Sequence, residues 1–254
     1  MKIYFNANNK AHLEVLQECG VKNILLSHRY SYANITKFQD FDSVMVVAGT
    51  KGNSEKYWEF LKKKKEYYDY ATQFDVYYNM EETISYYNKE REQGIDWTLP
   101  VLQENYLHHL SRLRLEADSY VCLGEIHGKL ETEDQIRKLP ANLRYHGLAK
   151  GKYIQDRTFH SIDTSAWISA AMSKKTEIWN NNTTYSMFFG DKGRGMIPQL
   201  RHSCEVYKDN MNKLNLTVDK LVDLDYYSLL KVPFALLFIP LCKSLGIYEE
   251  NFNN

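Results

Sequence analysis

The sequence predicts an α/β fold of the (β/α)8 barrel type, carrying an extended, partly helical C-terminal segment. Three observations lead there. Eight short apolar runs rich in β-branched and aromatic residues alternate with helix-length amphipathic stretches. Most of those runs are continuously apolar, as parallel strands buried on both faces must be. They recur every roughly 10 to 30 residues, the rhythm of repeated βα units. The 254 residues lie within the range of one such barrel, so the expected organisation is a single barrel domain over 1–254. Its strands fall within about 2–163 and its C-terminal loop and helices within about 164–254. A doubly wound open sheet is the competitor, because periodicity does not report closure. The first strand is followed by "NANNKAH", which has no glycine, and this lowers the dinucleotide-binding alternative.

The expected strands, in order, are Lys2–Ala7, Asn23–His28, Ser43–Ala48, Phe74–Asn79, Thr98–Gln103, Ser119–Glu125, Arg144–Ala149 and Phe159–Asp163. The helix after the first, "NKAHLEVLQECG", gathers Leu13, Val15 and Leu16 on one side and stops at Gly20, a natural C-cap. "NSEKYWEFLKKKKEYYDYA" opens on an Asn-Ser cap and carries Tyr57, Phe60 and Leu61 at helical spacing. "EETISYYNKEREQG", "NYLHHLSRLRLEA" and "TEDQIRKL" behave similarly, whereas "KGKYIQDR" is short and weakly periodic. Beyond the eighth strand, "KTEIWNNNTTYSMFFGDKGRGMIPQL" reads as an irregular excursion and "LVDLDYYSLLKVPFALLFIPLCKSLG" as a helical finish.

Composition removes several function classes. Lys+Arg and Asp+Glu are both 32, so no global basic charge demands a nucleic acid, although a local patch is compatible with one. Aromatics at 14% suit a packed globular chain and not a disordered one. Cys19, Cys122, Cys204 and Cys242 are far apart in sequence, with no CxxC or CxC pair, and read as reduced thiols in a cytoplasmic protein. "MKIYFNANNK" turns polar too early for a signal peptide. The most apolar run, Val232–Cys242, is short for a bilayer and contains Pro233 and Pro240, so a buried segment is expected and no membrane association. "KKKK" (Lys62–Lys65) reads as a solvated helix face. "GDKGRG" (Gly190–Gly195) reads either as a surface turn or as a basic loop that holds a nucleic-acid phosphate through Lys192, Arg194 and the later Arg201.

Barrel enzymes react at the C-terminal ends of their strands. Those ends supply Asn6, Ser27, His28, Ala48, Gly49, Asn79, Gln103, Gly124, Glu125, His146 and Asp163. An amide-rich ring suits a heteroaromatic base or a sugar better than a bare phosphate. Each residue also has a purely structural reading: Gln103 satisfying a loop carbonyl, His146 a core histidine, Glu125 and Asp163 capping the helices that follow. No Ser-His-Asp order, HExxH or P-loop is present, which sets aside common hydrolases and kinases.

The stretch "RYHGLAKGKYIQDRTFHSIDTSAW" resembles the last two βα units of tRNA-guanine transglycosylase-like proteins, closest to zinc-lacking, phage-type members linked to 7-deazaguanine modification of DNA. "LPVLQEN" is similar to that family's strand ending in Gln, and "YVCLGE" to its strand ending in a glycine that faces the base. The N-terminal "ANNKAHLEVLQECGVKNILLSHRY" is similar to the phage members too, so the resemblance covers residues 1 to about 170. It implies a pentosyltransferase that exchanges guanine for a free purine or 7-deazaguanine base in DNA, or less readily in tRNA. It needs no cofactor and no metal and is compatible with a homodimer. Asp163 would be the nucleophile on C1′, giving a covalent glycosyl intermediate. Asn79, Gln103, Gly124, His146 and Gly49 would surround the substrate, and Trp167 or Tyr78 would stack on the unstacked base.

Three departures from the family pattern bear on activity. The third strand ends in Val47, Ala48 and Gly49 where the family has Asp-Ser-Gly, and the acid expected after the fourth strand falls on Asn79. The CxCxxC zinc element of the tRNA enzymes is missing. Glu125 is the candidate replacement for the absent acid. Two further readings follow: a catalytically silent barrel that binds nucleic acid or protein, and a small-molecule barrel enzyme using Glu125 and Asp163 as acid and base.

Overall fold

The computed structural model describes residues 1–28, 40–48, 52–77, 79–124, 131–148, 159–180 and 182–253, without the side chains of 131–133, 191, 192 and 194. The chain packs as two compact units: Met1–Asn9 with Lys22–Thr164, and Lys10–Val21 with Ser165–Asn254.

The first unit is α/β, built on one curled, parallel, eight-stranded sheet. Its strands are β1 (Lys2–Ala7), β2 (Asn23–Ser27), β3 (Ser43–Val47), β4 (Tyr70–Ala71), β5 (Val101–Leu102), β6 (Tyr120–Leu123), β7 (Arg144–Gly147) and β8 (Ser161–Thr164). The spatial order is β4-β3-β2-β1-β8-β7-β6-β5, so the first and last strands of the series lie side by side. Register places Tyr4 opposite Asp163 and His146 opposite Ser161. The outermost strands are joined by a parallel bridge at Thr72 and Leu99, where Leu99 N–H donates to Ala71 O and Gln73 N–H to Leu99 O, both at 2.8 Å.

Alternation along the strands puts Tyr4, Leu25, Met45, Leu99, Val101, Tyr120 and Cys122 in one buried cluster on a common face. The helices of this unit are α2 (Ser54–Lys63), α3 (Met80–Glu92), α4 (Tyr106–Leu110) and α5 (Glu131–Arg137). As the sequence predicts, Asn53 caps α2, its Oδ1 accepting from Lys56 N–H at 2.9 Å.

One strand is displaced. The predicted fourth strand, Phe74–Asn79, is not one, and β4 lies at Tyr70–Ala71, inside the stretch assigned to the preceding helix. That helix stops at Lys63, a 3-10 turn follows at Lys65–Tyr67, and Asp69 N–H then joins Val44 O at 2.9 Å. Tyrosines at helical spacing hid the strand, because pairing with β3 outweighs a weak local preference.

The second unit begins with α1 (Lys10–Glu18) and resumes with α6 (Ala166–Ser173). Where an irregular excursion is predicted, β9 (Lys175–Asn180) and β10 (Thr183–Phe188) form an antiparallel hairpin. Asn182 holds the turn at φ 76°, a conformation asparagine tolerates better than most residues. A 3-10 turn at Gly190–Met196 follows, then α7 (Ile197–Val206), α8 (Lys208–Lys213), α9 (Val218–Val222), α10 (Tyr226–Pro233), α11 (Ile239–Ser244) and α12 (Tyr248–Asn251).

The predicted helical finish is observed. Pro233 does not end it, because a π-helical turn at Phe234–Phe238 absorbs the missing donor and links α10 to α11. The resulting stretch, Tyr226–Ser244, is 19 residues, longer than the apolar run alone suggests and long and apolar enough to cross a bilayer. It is 72% buried in the fold, as a core helix would be.

Candidate active site at the strand ends

Asp163 occupies the third position of β8 and is only 4% exposed. Helix α6 takes Ser165 as its N-cap residue, without a capping bond from that side chain, and Asp163 belongs to β8. Its face of the sheet also carries Ser161, and the two line up with Tyr4 on β1 and His146 on β7. His146 is fully buried. Its Nε2 lies 3.6 Å from Asp163 Oδ1 and its Nδ1 2.5 Å from Ser161 Oγ. Ser161 Oγ in turn shares a short hydrogen bond with the Tyr120 hydroxyl. Tyr4 meets the His146 ring edge-on at 5.7 Å and bonds Ser43 Oγ through its hydroxyl at 2.8 Å. Burial pushes the Tyr4 and Tyr120 hydroxyls far above the usual phenol range, so both stay protonated.

Gln103 follows β5 immediately and is buried. Its Nε2 donates to Asp75 Oδ2 at 2.9 Å. Burial raises the Asp75 carboxyl above the usual carboxylate range, while the Gln103 bond and its own backbone N–H oppose the rise. Asp75 and Asp163 both lie near enough to Cys122 for their charges to hold its thiol protonated, an effect second to burial itself.

The segment bearing Asp75 is irregular but tied down by α3. Phe74 N–H donates to Glu90 Oε1 at 2.7 Å, Val76 N–H to Thr83 Oγ1 at 2.9 Å, and Gln73 Nε2 to Thr83 O at 2.9 Å. Glu90 is fully buried and also receives Trp58 Nε1 at 2.9 Å and Thr98 Oγ1 at 2.6 Å. Burial raises its carboxyl above the usual carboxylate range, the bonds from Thr98, Phe74 and Trp58 oppose the rise, and these donors fill its lone pairs as a buried carboxyl requires.

Gly124, just past β6, gives its N–H to Leu102 O at 2.7 Å and accepts the Tyr106 hydroxyl on its carbonyl. A Cβ there would touch Gln103 Cγ and Leu102 O, both at 3.6 Å, so glycine leaves open the space beside Gln103. Asn6 Oδ1, near the end of β1, is buried with no hydrogen-bond partner among the described residues.

The other predicted residues divide. Asn79 is exposed and caps α3, its Oδ1 accepting from Glu82 N–H at 3.1 Å, because the true fourth strand ends earlier. The acid after that strand is Asp75. Trp167 is fully buried in the second unit, 5.1 Å from the His12 ring and 5.5 Å from Phe234, and is not free to stack on a base. Gly49, Tyr78 and Glu125 lie outside the described residues, as do the side chains of Lys192 and Arg194. Arg201 is exposed on α7. The "GDKGRG" backbone is a 3-10 turn in which a Cβ on Gly193 would fall 2.1 Å from Phe188 O, a packed structure and not a loose loop.

Sequence reasoning missed Asp75, Glu90, Ser161 and Tyr120. "QFDVYYN" alternates like a strand, which absorbed Asp75 into an element instead of the loop after one. Among the described residues no group of three or more His, Cys, Asp or Glu is placed to hold a metal ion. Compared with models of protein families and with curated protein sequences, the chain matches none.

Proposed function

We propose that the first unit is a closed (β/α)8 barrel that exchanges a guanine for a 7-deazaguanine or other free purine in nucleic acid, as the transglycosylase resemblance implies. The Thr72–Leu99 bridge between the outermost strands supports closure. One observation carries the reading: Gln103, just past β5, bonds the Asp75 carboxyl through its Nε2, and β8 of the same sheet carries the buried carboxyl of Asp163. An amide next to a carboxyl matches the donor and acceptor edge of a purine, and a second carboxyl serves as nucleophile.

The chemistry follows in two steps. An Asp163 oxygen forms a bond to C1′ while the C1′–N9 bond breaks, and the Asp75 carboxyl gives its proton to the departing guanine. The incoming base then attacks C1′ through its own ring nitrogen, gives a proton to Asp75, and releases Asp163. Asp75 so takes the acid's part that the third strand, ending in Val47 and Ala48, does not supply. DNA stands ahead of tRNA as substrate because the sequence lacks the zinc element.

The decisive experiment is adduct trapping. The purified chain, incubated with guanine-containing oligodeoxynucleotide or tRNA, forms a covalent adduct that survives denaturing electrophoresis, and Asp163→Asn abolishes it. Wild-type adduct yield from Asp163→Asn rejects the reading. The acid-free end of β3 favours a second one, a silent barrel that binds nucleic acid without exchange. Binding by wild type with no adduct and no base exchange selects it.

A further inference from the structure

We propose that Tyr120, Ser161 and His146 form a hydrogen-bond relay that ends on Asp163 and aims its carboxylate, with His146 a positioning residue and not a catalytic one. The proposal rests on Asp163 being the nucleophile. Its basis is a chain of two hydrogen bonds and one approach: Tyr120 hydroxyl to Ser161 Oγ, Ser161 Oγ to His146 Nδ1 at 2.5 Å, and His146 Nε2 facing Asp163 Oδ1 at 3.6 Å. His146 Nε2 is buried and has no hydrogen-bond partner among the described residues. The last gap is longer than a hydrogen bond, and such contacts commonly tighten when substrate binds.

Direction follows from the chemistry of the end groups. Tyr120 keeps its proton, since burial opposes its ionisation. If Tyr120 donates to Ser161 and Ser161 donates to Nδ1, a ring hydrogen sits on Nε2, facing Asp163. The reverse order would press the Nε2 lone pair against a carboxylate oxygen. Other groups facing the ring are Tyr4, edge-on at 5.7 Å, the Tyr120 ring at 6.5 Å, and Cys122, its partner across β6 and β7. None is a cation, so the relay is the ring's source of orientation among the described residues.

The relay moves no proton. Its Nε2–H faces Asp163 Oδ1, orients the carboxylate for attack on C1′, and steadies the charge that returns to Asp163 when the ester breaks. A charge-assisted bond of this kind changes a rate by about 10- to 100-fold.

Two measurements on the full chain test it. Long-range proton–nitrogen spectra of histidine-labelled protein, with His146 assigned by loss in His146→Gln, should show the Nε2–H tautomer. That tautomer should weaken in Ser161→Ala and return in Ser161→Thr. Adduct formation on a guanine-containing oligodeoxynucleotide should slow about 10- to 100-fold in Ser161→Ala at saturation, with unchanged half-saturation. An Nδ1–H tautomer in the wild type overturns the relay. So does a wild-type rate in Ser161→Ala while Asp163→Asn is dead. If the wild type forms no adduct, the nucleophile reading fails, and the relay's role in catalysis falls with it, whatever the tautomer.

Discussion

Asp75 is a carboxyl whose surroundings favour its neutral form, and this has consequences for both stability and rate. Its folded pKa is raised by burial above the ordinary carboxyl value. The native state therefore holds its proton to higher pH than the unfolded chain does, so stability falls as pH rises through that window. Asp75→Asn removes the effect. The variant's melting temperature should exceed the wild type's at pH 8, and the gain should disappear near pH 4. A difference that does not change with pH would count against the assignment. In exchange, the same variant should lose about 10²- to 10⁴-fold in rate, along with the fall in wild-type rate as pH rises through the raised pKa. The residue that destabilises the fold is thus the one assigned to chemistry, a common exchange at active sites. Asp163 was legible in the sequence because it closes the last expected strand, whereas the alternation of "QFDVYYN" hid Asp75 inside an expected strand where the backbone is irregular.

At the scale of elements, the candidate site depends on how α3 grips the segment after β4. Glu90 lies 16 residues from Phe74 in sequence and receives three donors: the Phe74 N–H, the Trp58 indole and the Thr98 hydroxyl. Glu90→Ala strands these donors in the interior and should destabilise the chain by about 3 to 5 kcal/mol in urea titration. Glu90→Gln, which keeps the shape and the Oε1 acceptor, should lose clearly less. Equal losses would mean that packing, not hydrogen bonding, holds the segment. The hairpin makes a second test. Gly193→Ala forces a Cβ against Phe188 O and should lower the thermal midpoint, whereas Gly195→Ala, with open space at its Cβ, should not. Strands β1, β2, β3, β6, β7 and β8 were readable within a few residues because most lie in near-continuous apolar runs, and β7 and β8, though more polar, keep the spacing between helical stretches. Strand β4 was not, since two residues carry no period and only its partner β3 defines it.

Across the whole molecule, the four cysteines are buried and free of disulfides. Burial raises each thiol, Cys204 to about 11 and Cys242 to about 12, with Cys19 and Cys122 higher still. At pH 8 the native chain should react with a thiol reagent only slowly, and all four sites should open together in guanidinium. Prompt reaction of two or more native thiols would contradict the packing described. The amino-acid sequence by itself determined the α/β class, most strands and the strand-end position of Asp163, because burial on two faces writes continuous apolar runs into the chain. It also marked Gln103 and His146 as candidates. Only the tertiary structure decided that Asp75 and not Asn79 follows the fourth strand, that Trp167 belongs to a core, and that His146, Ser161 and Tyr120 form a path to Asp163. Those relations join residues 15 to 41 positions apart, and no local pattern encodes a hydrogen bond that the sheet's register creates.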